Sequence, residues 1–213
     1  FSIIKYTGAA AAKTINHGLN KVPRFMLVKR TDANASWAVY HAEGGNTKVY
    51  ELNGTGTGSS SSTAWNSTTP TSSVFSLGAN DVNTNNIKYI AYCFAEKKGY
   101  SKFGSYTGNG NADGSYIHLG FKPAWVIFKR SDGGSENWLM YDNKRNTFNV
   151  VDKRLYPDAN DSEDTGSHMD FVSNGIKLKT STGGLNSSGA TYIFMAFAES
   201  PFVTSTGIPT TAR

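Results

Sequence analysis

Short apolar runs, separated by loops of glycine, serine, threonine and asparagine, make up the chain. The longest runs, at 89–96 and 192–199, are almost continuous, which is typical of central strands buried on both faces. The runs at 25–29 and 125–129 each follow a proline closely. Proline suits the start of a strand because it has no N–H to donate to a neighbouring strand. No helical core with a 3.6-residue period is indicated, so the pattern predicts an all-β protein.

This apolar pattern occurs twice, in the same order and at a nearly constant offset, which indicates an internal duplication. The recurring segments are Tyr6–Gly8 with Tyr106–Gly108, Pro23–Asp32 with Pro123–Asp132, Trp37–Tyr40 with Trp138–Tyr141, and Tyr89–Glu96 with Tyr192–Glu199. We therefore predict two tandem β-sandwich domains of a jelly-roll-like kind. The first covers residues 1–98, and the second covers residues 99–213 and includes a C-terminal tail. Each half has the usual size of one such domain.

Polar segments between the apolar runs predict hairpins and loops. Alternating strands are expected at 37–41 and 138–142, after turn segments rich in aspartate or glycine. Within 171–178, a Ser-Asn-Gly turn separates two strand-like ends. The stretch 53–73 has low complexity, and such stretches usually bury too little apolar area to become ordered. Trp65 is the candidate anchor of this loop.

Composition supports an all-β chain and narrows the classes of partner. Aromatic residues reach 13% and charged residues only 17%, a combination that fits pleated, half-buried strands. The net charge of +5 comes from scattered lysines and arginines rather than from one stripe, which argues against nucleic-acid binding. Cys93 lies among apolar residues and is expected to be a buried thiol. The sequence contains no run of about 18 apolar residues, so no membrane-spanning helix is predicted.

Several segments resemble a domain of marine-bacteriophage virion proteins. They are Tyr-Ile-Ala-Tyr-Cys-Phe-Ala-Glu at 89–96, Gly-Tyr-Ser-Lys-Phe-Gly-Ser-Tyr-Thr-Gly-Asn-Gly at 99–110, Gly-Phe-Lys-Pro-Ala-Trp-Val at 120–126, Asn-Val-Val-Asp-Lys-Arg-Leu-Tyr at 149–156, and Met-Ala-Phe-Ala-Glu-Ser-Pro-Phe-Val at 195–203. The resemblance covers essentially the whole chain and implies a tail-fibre or capsid-fibre protein. It supplies no catalytic or ligand-binding residues. Because the chain begins directly in a strand-like run, we also expect the natural protein to extend upstream of Phe1.

Trp65 is the candidate contact for a ligand. It has no counterpart in the second half and lies in a loop of serine and threonine. A flat aromatic ring can stack on the face of a sugar while polar neighbours fix its orientation. The alternative is that the indole only anchors the loop. The tryptophans that recur in both halves, Trp37 and Trp138, are expected to pack in the core.

The acidic loop around residue 160 is the only place where a cation site is worth considering. Its candidate ligands are Asp158, Asp161, Glu163 and Asp164. Clustered carboxylates suit calcium, but the spacing of a calcium-binding loop is missing, so a solvated loop is the main interpretation. Zinc motifs and the carboxylate pair of a glycosidase are also missing from the sequence. We predict no catalytic residue, no metal and no cofactor.

Together these observations predict a non-enzymatic virion protein, located on the phage surface as part of a tail or capsid fibre. The expected partners are other virion subunits and a host-surface glycan, recognised by loops at the ends of rigid sheets. A homo-oligomer is expected because fibres usually assemble around a symmetry axis, and a trimer is one such assembly. The alternatives are a purely architectural decoration protein and a carbohydrate-binding module of a polysaccharide-degrading enzyme.

Overall fold

The computed structural model describes residues 1–201 and 204–206, so parts of the predicted C-terminal tail, at 202–203 and 207–213, lie outside the described residues. The protein is all-β, with antiparallel sheets of the sandwich kind. Its Cα positions divide into two compact units, Phe1–Ala95 and Glu96–Arg213. The interpretation of residues 1–98 and 99–213 as tandem domains that arose by duplication stays a prediction.

The first unit has a large and a small antiparallel sheet. Its strands are β1 (Ser2–Thr7), β2 (Lys13–Asn16), β3 (Pro23–Arg30), β4 (Ala38–His41), β5 (Lys48–Glu51), β6 (Ser59–Ser60), β7 (Val74–Leu77) and β8 (Lys88–Ala95). The large sheet has the order β1-β8-β3-β4-β5-β6, and β2 pairs with β7. A short 3-10 helix, Asp81–Asn83, precedes β8.

The second unit has two antiparallel sheets of four strands each. Its strands are β9 (Ser101–Thr107), β10 (Tyr116–His118), β11 (Pro123–Arg130), β12 (Leu139–Asp142), β13 (Val151–Arg154), β14 (Asp164–Val172), β15 (Gly175–Leu178) and β16 (Thr191–Ala198). The sheet orders are β12-β11-β16-β9 and β10-β15-β14-β13. The short helix α1 (Gly183–Asn186) takes the place of the 3-10 helix.

Part of the strand order is therefore the same in both units. In the first unit, β4-β3-β8-β1 form the same series as β12-β11-β16-β9 in the second, and the pair β2-β7 corresponds to β10-β15. The alternation along β3 explains the position of the core, since Met26 and Val28 point into the cluster that contains Trp65 and Phe75. Burial of each such large apolar side chain contributes about 1.5–3 kcal/mol.

The strands predicted from the apolar runs are confirmed. Each proline-led run is a strand whose first residue is the proline itself, Pro23 or Pro123. The predicted Ser-Asn-Gly turn joins β14 to β15, with Val172 paired to Gly175. The loop at 53–73 is more ordered than its composition indicates, because Ala64, Trp65 and Pro70 are all buried.

Candidate functional site: a polar cleft in the first unit

A cavity of about 350 Å³ opens at one end of the large sheet of the first unit. It is lined by the loop between β3 and β4, by strand β5 and by the 3-10 helix that precedes β8, together with residues of β3, β4 and β8. Part of its wall is apolar and consists of buried residues such as Val28, Ala38 and Val82. Its exposed or half-buried polar side chains are Arg30, Asn34, Ser36, Glu51, Asn80, Asp81 and Thr84. We call this cavity the polar cleft.

A buried asparagine fixes one wall of the polar cleft. Asn83 has no exposed surface, and its side-chain Nδ2 donates to the carbonyls of Ala11 (2.7 Å) and Gly78 (2.8 Å). Its Oδ1 accepts the backbone N–H of Ala9 at 3.0 Å. The bonds to Ala9 and Ala11 tie the 3-10 helix to the loop after β1, and the bond to Gly78 ties it to the segment after β7. Buried amides need such partners, because each unsatisfied polar group costs about 1–3 kcal/mol.

Two stacked tyrosines also hold the 3-10 helix by hydrogen bonds to its backbone carbonyls. The Tyr6 hydroxyl donates to the Val82 carbonyl at 2.6 Å, and the Tyr89 hydroxyl donates to the Asp81 carbonyl at 2.6 Å. The rings of Tyr6 and Tyr89 stack with centroids 5.0 Å apart. The backbone of Asp81 is thus fixed, while its side chain lies exposed at the rim of the polar cleft.

The second unit contains the same frame. Asn186 Nδ2 donates to the carbonyls of Asn111 (2.9 Å) and Thr180 (2.7 Å), and its Oδ1 accepts the backbone N–H of Asn109 at 2.9 Å. The rings of Tyr106 and Tyr192 stack at 5.1 Å. A network that both units possess belongs to the fold, and it does not by itself mark a binding site.

What differs between the units is the space beside this frame. Lys29 Nζ donates to the carbonyl of Ala35, and Lys129 Nζ donates to that of Glu136, so Ala35 and Glu136 are equivalent. A Cβ atom placed on Gly183 would come within 2.4 Å of Glu136 Oε1. In the second unit the glutamate therefore lies on α1. In the first unit an alanine leaves the equivalent space open.

Arg30 gives the rim of the polar cleft a fixed positive charge. Its Nε donates to Asp32 Oδ1 at 2.7 Å, and the backbone N–H of Lys88 donates to Asp32 Oδ2 at 3.1 Å. These two hydrogen bonds, that of Arg30 first, hold the pKa of Asp32 below its usual value. Asp32 is therefore ionised at neutral pH. Within the part of the chain that the structure describes, the terminal amino groups of Arg30 have no partner, so they can bind a ligand.

The polar cleft has the chemistry of a site for a polyhydroxylated ligand. Arg30, Asn34 and Asn80 can donate hydrogen bonds, and the carboxylates of Glu51 and Asp81 can accept them. These groups surround a partly apolar wall, as is usual in ligand sites where a few polar groups fix orientation. No group of three or more metal-ligating side chains occurs among the residues that the structure describes.

Trp65, the predicted ligand contact, lies in the core and not at this site. Its ring has 0% exposed surface, packs edge-on against Tyr40 with centroids 5.6 Å apart, and donates from Nε1 to the Lys48 carbonyl at 2.9 Å. Stacking on a sugar needs an exposed ring face, and this ring has none. The structure corrects the ligand-contact prediction and supports the alternative, that the indole anchors its loop.

The acidic loop of the second unit uses its carboxylates in other contacts. Asp164 accepts two hydrogen bonds from Arg154, at 2.6 and 3.1 Å, and Glu163 pairs with Arg145 at 2.9 Å. Asp158 Oδ1 accepts the backbone N–H of Trp138 at 3.2 Å. Asp161 is exposed. The four candidate ligands thus do not converge on one point.

The residues of the polar cleft were missed in the sequence. Asn34 and Asp81 are single polar residues in turn-rich segments, where such side chains usually only face solvent. The available signal was the difference between the repeats, alanine at position 35 against glutamate at position 136. This difference indicates a cavity only when the fold is known, because the fold decides which segment packs against position 35 or 136.

Fold and site together define an all-β sandwich protein with a polar cleft on one of two similar units. The chain belongs to the family DUF7483, a domain of unknown function, which it matches over residues 1–201. Neither the comparison with curated proteins nor that with solved structures gives a match. Among the described residues, no helix has the length and apolar character to cross a membrane.

Proposed function

We propose that the chain is a non-enzymatic bacteriophage virion protein, the surface-exposed part of a tail or capsid fibre, and that the polar cleft attaches it to a host-surface glycan. The observation that carries the glycan role is the contrast between Ala35 and Glu136. One frame occurs twice. In the first unit it borders a cavity of about 350 Å³, whereas in the second unit Glu136 lies against α1. The phage origin is supported by the sequence resemblance described above.

The loops around the polar cleft suit recognition without turnover. They are held by strands and by the buried Asn83 network, so little conformational freedom is lost when a ligand binds. The mixture of donors and acceptors fits sugar hydroxyls, which both donate and accept. The expected partners are the glycan and other virion subunits in a homo-oligomer, with a trimer as one arrangement.

A purely architectural role is the second candidate, and one surface favours it. Phe148, in the loop between β12 and β13, is 85% exposed, and Val150 nearby is 39% exposed. Exposed apolar side chains of this kind are common at protein interfaces. Under this alternative the loop packs on another virion subunit, and the chain binds no host molecule.

The test is binding of the purified, labelled chain to a panel of marine bacterial cells and their surface polysaccharides. The double variant Asn34→Ala/Asp81→Ala removes two exposed polar side chains of the polar cleft. Ala35→Gln fills the cleft, as Glu136 fills its equivalent, without adding a charge next to Asp81. The matched control is Asn160→Ala/Asp161→Ala, which makes the same changes on an exposed loop of the second unit.

We expect saturable binding that the double variant weakens about ten- to thirtyfold, as the loss of two hydrogen bonds predicts. Ala35→Gln should also weaken binding, because its longer side chain occupies space that the ligand needs, while the control binds like wild type. Wild-type binding that both cleft variants retain would place the contact elsewhere. A complete lack of binding by the folded oligomer would favour the architectural role. Binding that is followed by cleavage of the polysaccharide would contradict a non-enzymatic protein.

A further inference from the structure

A second cavity, of about 390 Å³, adjoins the polar cleft. The two cavities share Tyr89 and are bordered by the consecutive residues Arg30 and Thr31. Two lysines, Lys5 and Lys88, line this second cavity together with Thr7, Thr31 and residues Tyr6 and Tyr89. Tyr6 and Tyr89 point into the core, so by strand alternation Lys5 and Lys88 project from the opposite face of the large sheet. A long ligand in the polar cleft would reach these cations by passing around the sheet end at Arg30 and Thr31.

The strand register places the two lysines on one face of the sheet. Thr7 pairs with Lys88 and Lys5 pairs with Ile90, so the two lysines are diagonal neighbours across β1 and β8. Both are exposed, and neither ammonium group has a hydrogen-bond or ion-pair partner among the described residues. Unpaired like charges this close repel each other, and an anion between them would relieve that repulsion.

A third cation lies at the same strand end. Lys13 Nζ donates to the Thr7 carbonyl at 2.6 Å, which leaves two of its three donors for other partners. Asp32, at this end of the sheet, already accepts hydrogen bonds from Arg30 and from the backbone of Lys88. Positive charge therefore dominates around Thr7.

The second unit shows that the fold does not need these lysines. In its register Thr191 pairs with Thr107, as Lys88 pairs with Thr7, and Ser105 takes the position of Lys5. Ser115 donates to the Thr107 carbonyl at 2.9 Å, in the place of Lys13. Serine or threonine thus occupies all three positions, and the cationic cluster is specific to the unit that carries the open polar cleft.

We propose that Lys5, Lys13 and Lys88 form a subsite for an anionic group, a sulfate or a carboxylate, on an acidic polysaccharide bound in the polar cleft. This inference rests on the proposed glycan-binding function and names its substrate class. Ammonium groups bind such anions as point charges through up to three hydrogen bonds each. The hydroxyls of Thr7 and Thr31 add neutral hydrogen-bonding groups.

The test compares the full chain with the triple variant Lys5→Ser/Lys13→Ser/Lys88→Thr, which reproduces the residues of the second unit. The control variant is Lys21→Ser/Lys98→Ser/Lys144→Ser, which removes the same charge from exposed positions elsewhere. The probes are one polysaccharide in sulfated, carboxylated and neutral forms, each measured over a series of salt concentrations. Circular dichroism and thermal melting check that both variants fold.

We expect wild type to prefer one acidic form over the neutral form by about tenfold at low salt, and salt to reduce this preference. The triple variant should lose the preference and keep its affinity for the neutral form, while the control keeps both. The sulfated and carboxylated forms then identify the group that is bound. Equal loss of preference in the control would overturn the subsite, because only net charge would matter.

Failure of this inference is distinguishable from failure of the proposed function. If wild type binds the neutral and acidic forms equally, the subsite is wrong and glycan binding stands. If the triple variant keeps the full preference, the subsite is also wrong. If wild type binds no form of any polysaccharide, the glycan function fails, and the subsite fails with it.

Discussion

Trp65 connects the longest polar loop of the first unit to the core. Its indole fills space beside Tyr40, and its N–H satisfies the Lys48 carbonyl. One large ring can therefore order a stretch of serine, threonine and glycine that contributes little apolar area of its own. The expectation of a poorly ordered loop was wrong for this reason.

Replacing Trp65 tests whether the indole acts in the core. We expect Trp65→Ala to lower the free energy of unfolding by about 3–5 kcal/mol, because the change leaves a large cavity. Trp65→Phe should cost less, since most of the ring volume remains and mainly one hydrogen bond is lost. Urea unfolding followed by circular dichroism measures both. An alanine variant of wild-type stability that has lost ligand binding would support a contact role instead.

Predicting binding residues one at a time was less successful than predicting structural ones. Trp65 has no counterpart in the repeat, yet the burial of its ring depends on all the side chains that pack around it. Asn34 and Asp81 have the composition of ordinary turns, so only their position beside an open cavity distinguishes them. Sequence pattern alone does not contain that position.

At the scale of elements, one buried asparagine fixes a short helix at the equivalent end of each unit. We call this arrangement the asparagine lock. Asn83 and Asn186 make equivalent hydrogen bonds to the loops after β1 and β9. A close approach of backbones accompanies them, since a Cβ on Gly8 would lie 2.0 Å from the Thr84 carbonyl oxygen. This explains why the Tyr-Thr-Gly motif that ends each first strand recurs, as only glycine fits there.

Converting either asparagine to aspartate tests this lock. A carboxylate cannot donate to the two carbonyls that each amide satisfies, and it buries a charge. We expect Asn83→Asp and Asn186→Asp each to destabilise the protein by about 2–4 kcal/mol, measured by urea unfolding. Asn85→Asp, at an exposed position two residues further on, should change stability by less than about 0.5 kcal/mol. Comparable effects at all three positions would argue against the lock.

The strands could be predicted because their signal is local. Apolar runs led by Pro23 and Pro123, and the duplicated central run of β8 and β16, follow directly from burial on a pleated sheet. The asparagine lock could not be predicted in the same way. Its partners are about 75 residues apart along the chain, and an asparagine in a turn has many other uses.

At the scale of the whole molecule, two similar units differ at their surfaces while keeping one frame. The first unit has both the open polar cleft and the lysine cluster of Lys5, Lys13 and Lys88. The second unit has a glutamate and three hydroxyl side chains at the corresponding positions. The proposed glycan function of the first unit accounts for this difference, because loops vary more easily than the sheets that carry them.

The most direct test of this account is to locate the ligand by NMR. Backbone amide shifts of the labelled chain would be followed during titration with a polysaccharide that it binds. The account predicts that perturbed residues cluster at 30–36 and 80–84 of the first unit, while the equivalent residues at 130–137 and 183–187 remain unchanged. Saturable binding with perturbations only in the second unit, or around Phe148, would contradict it.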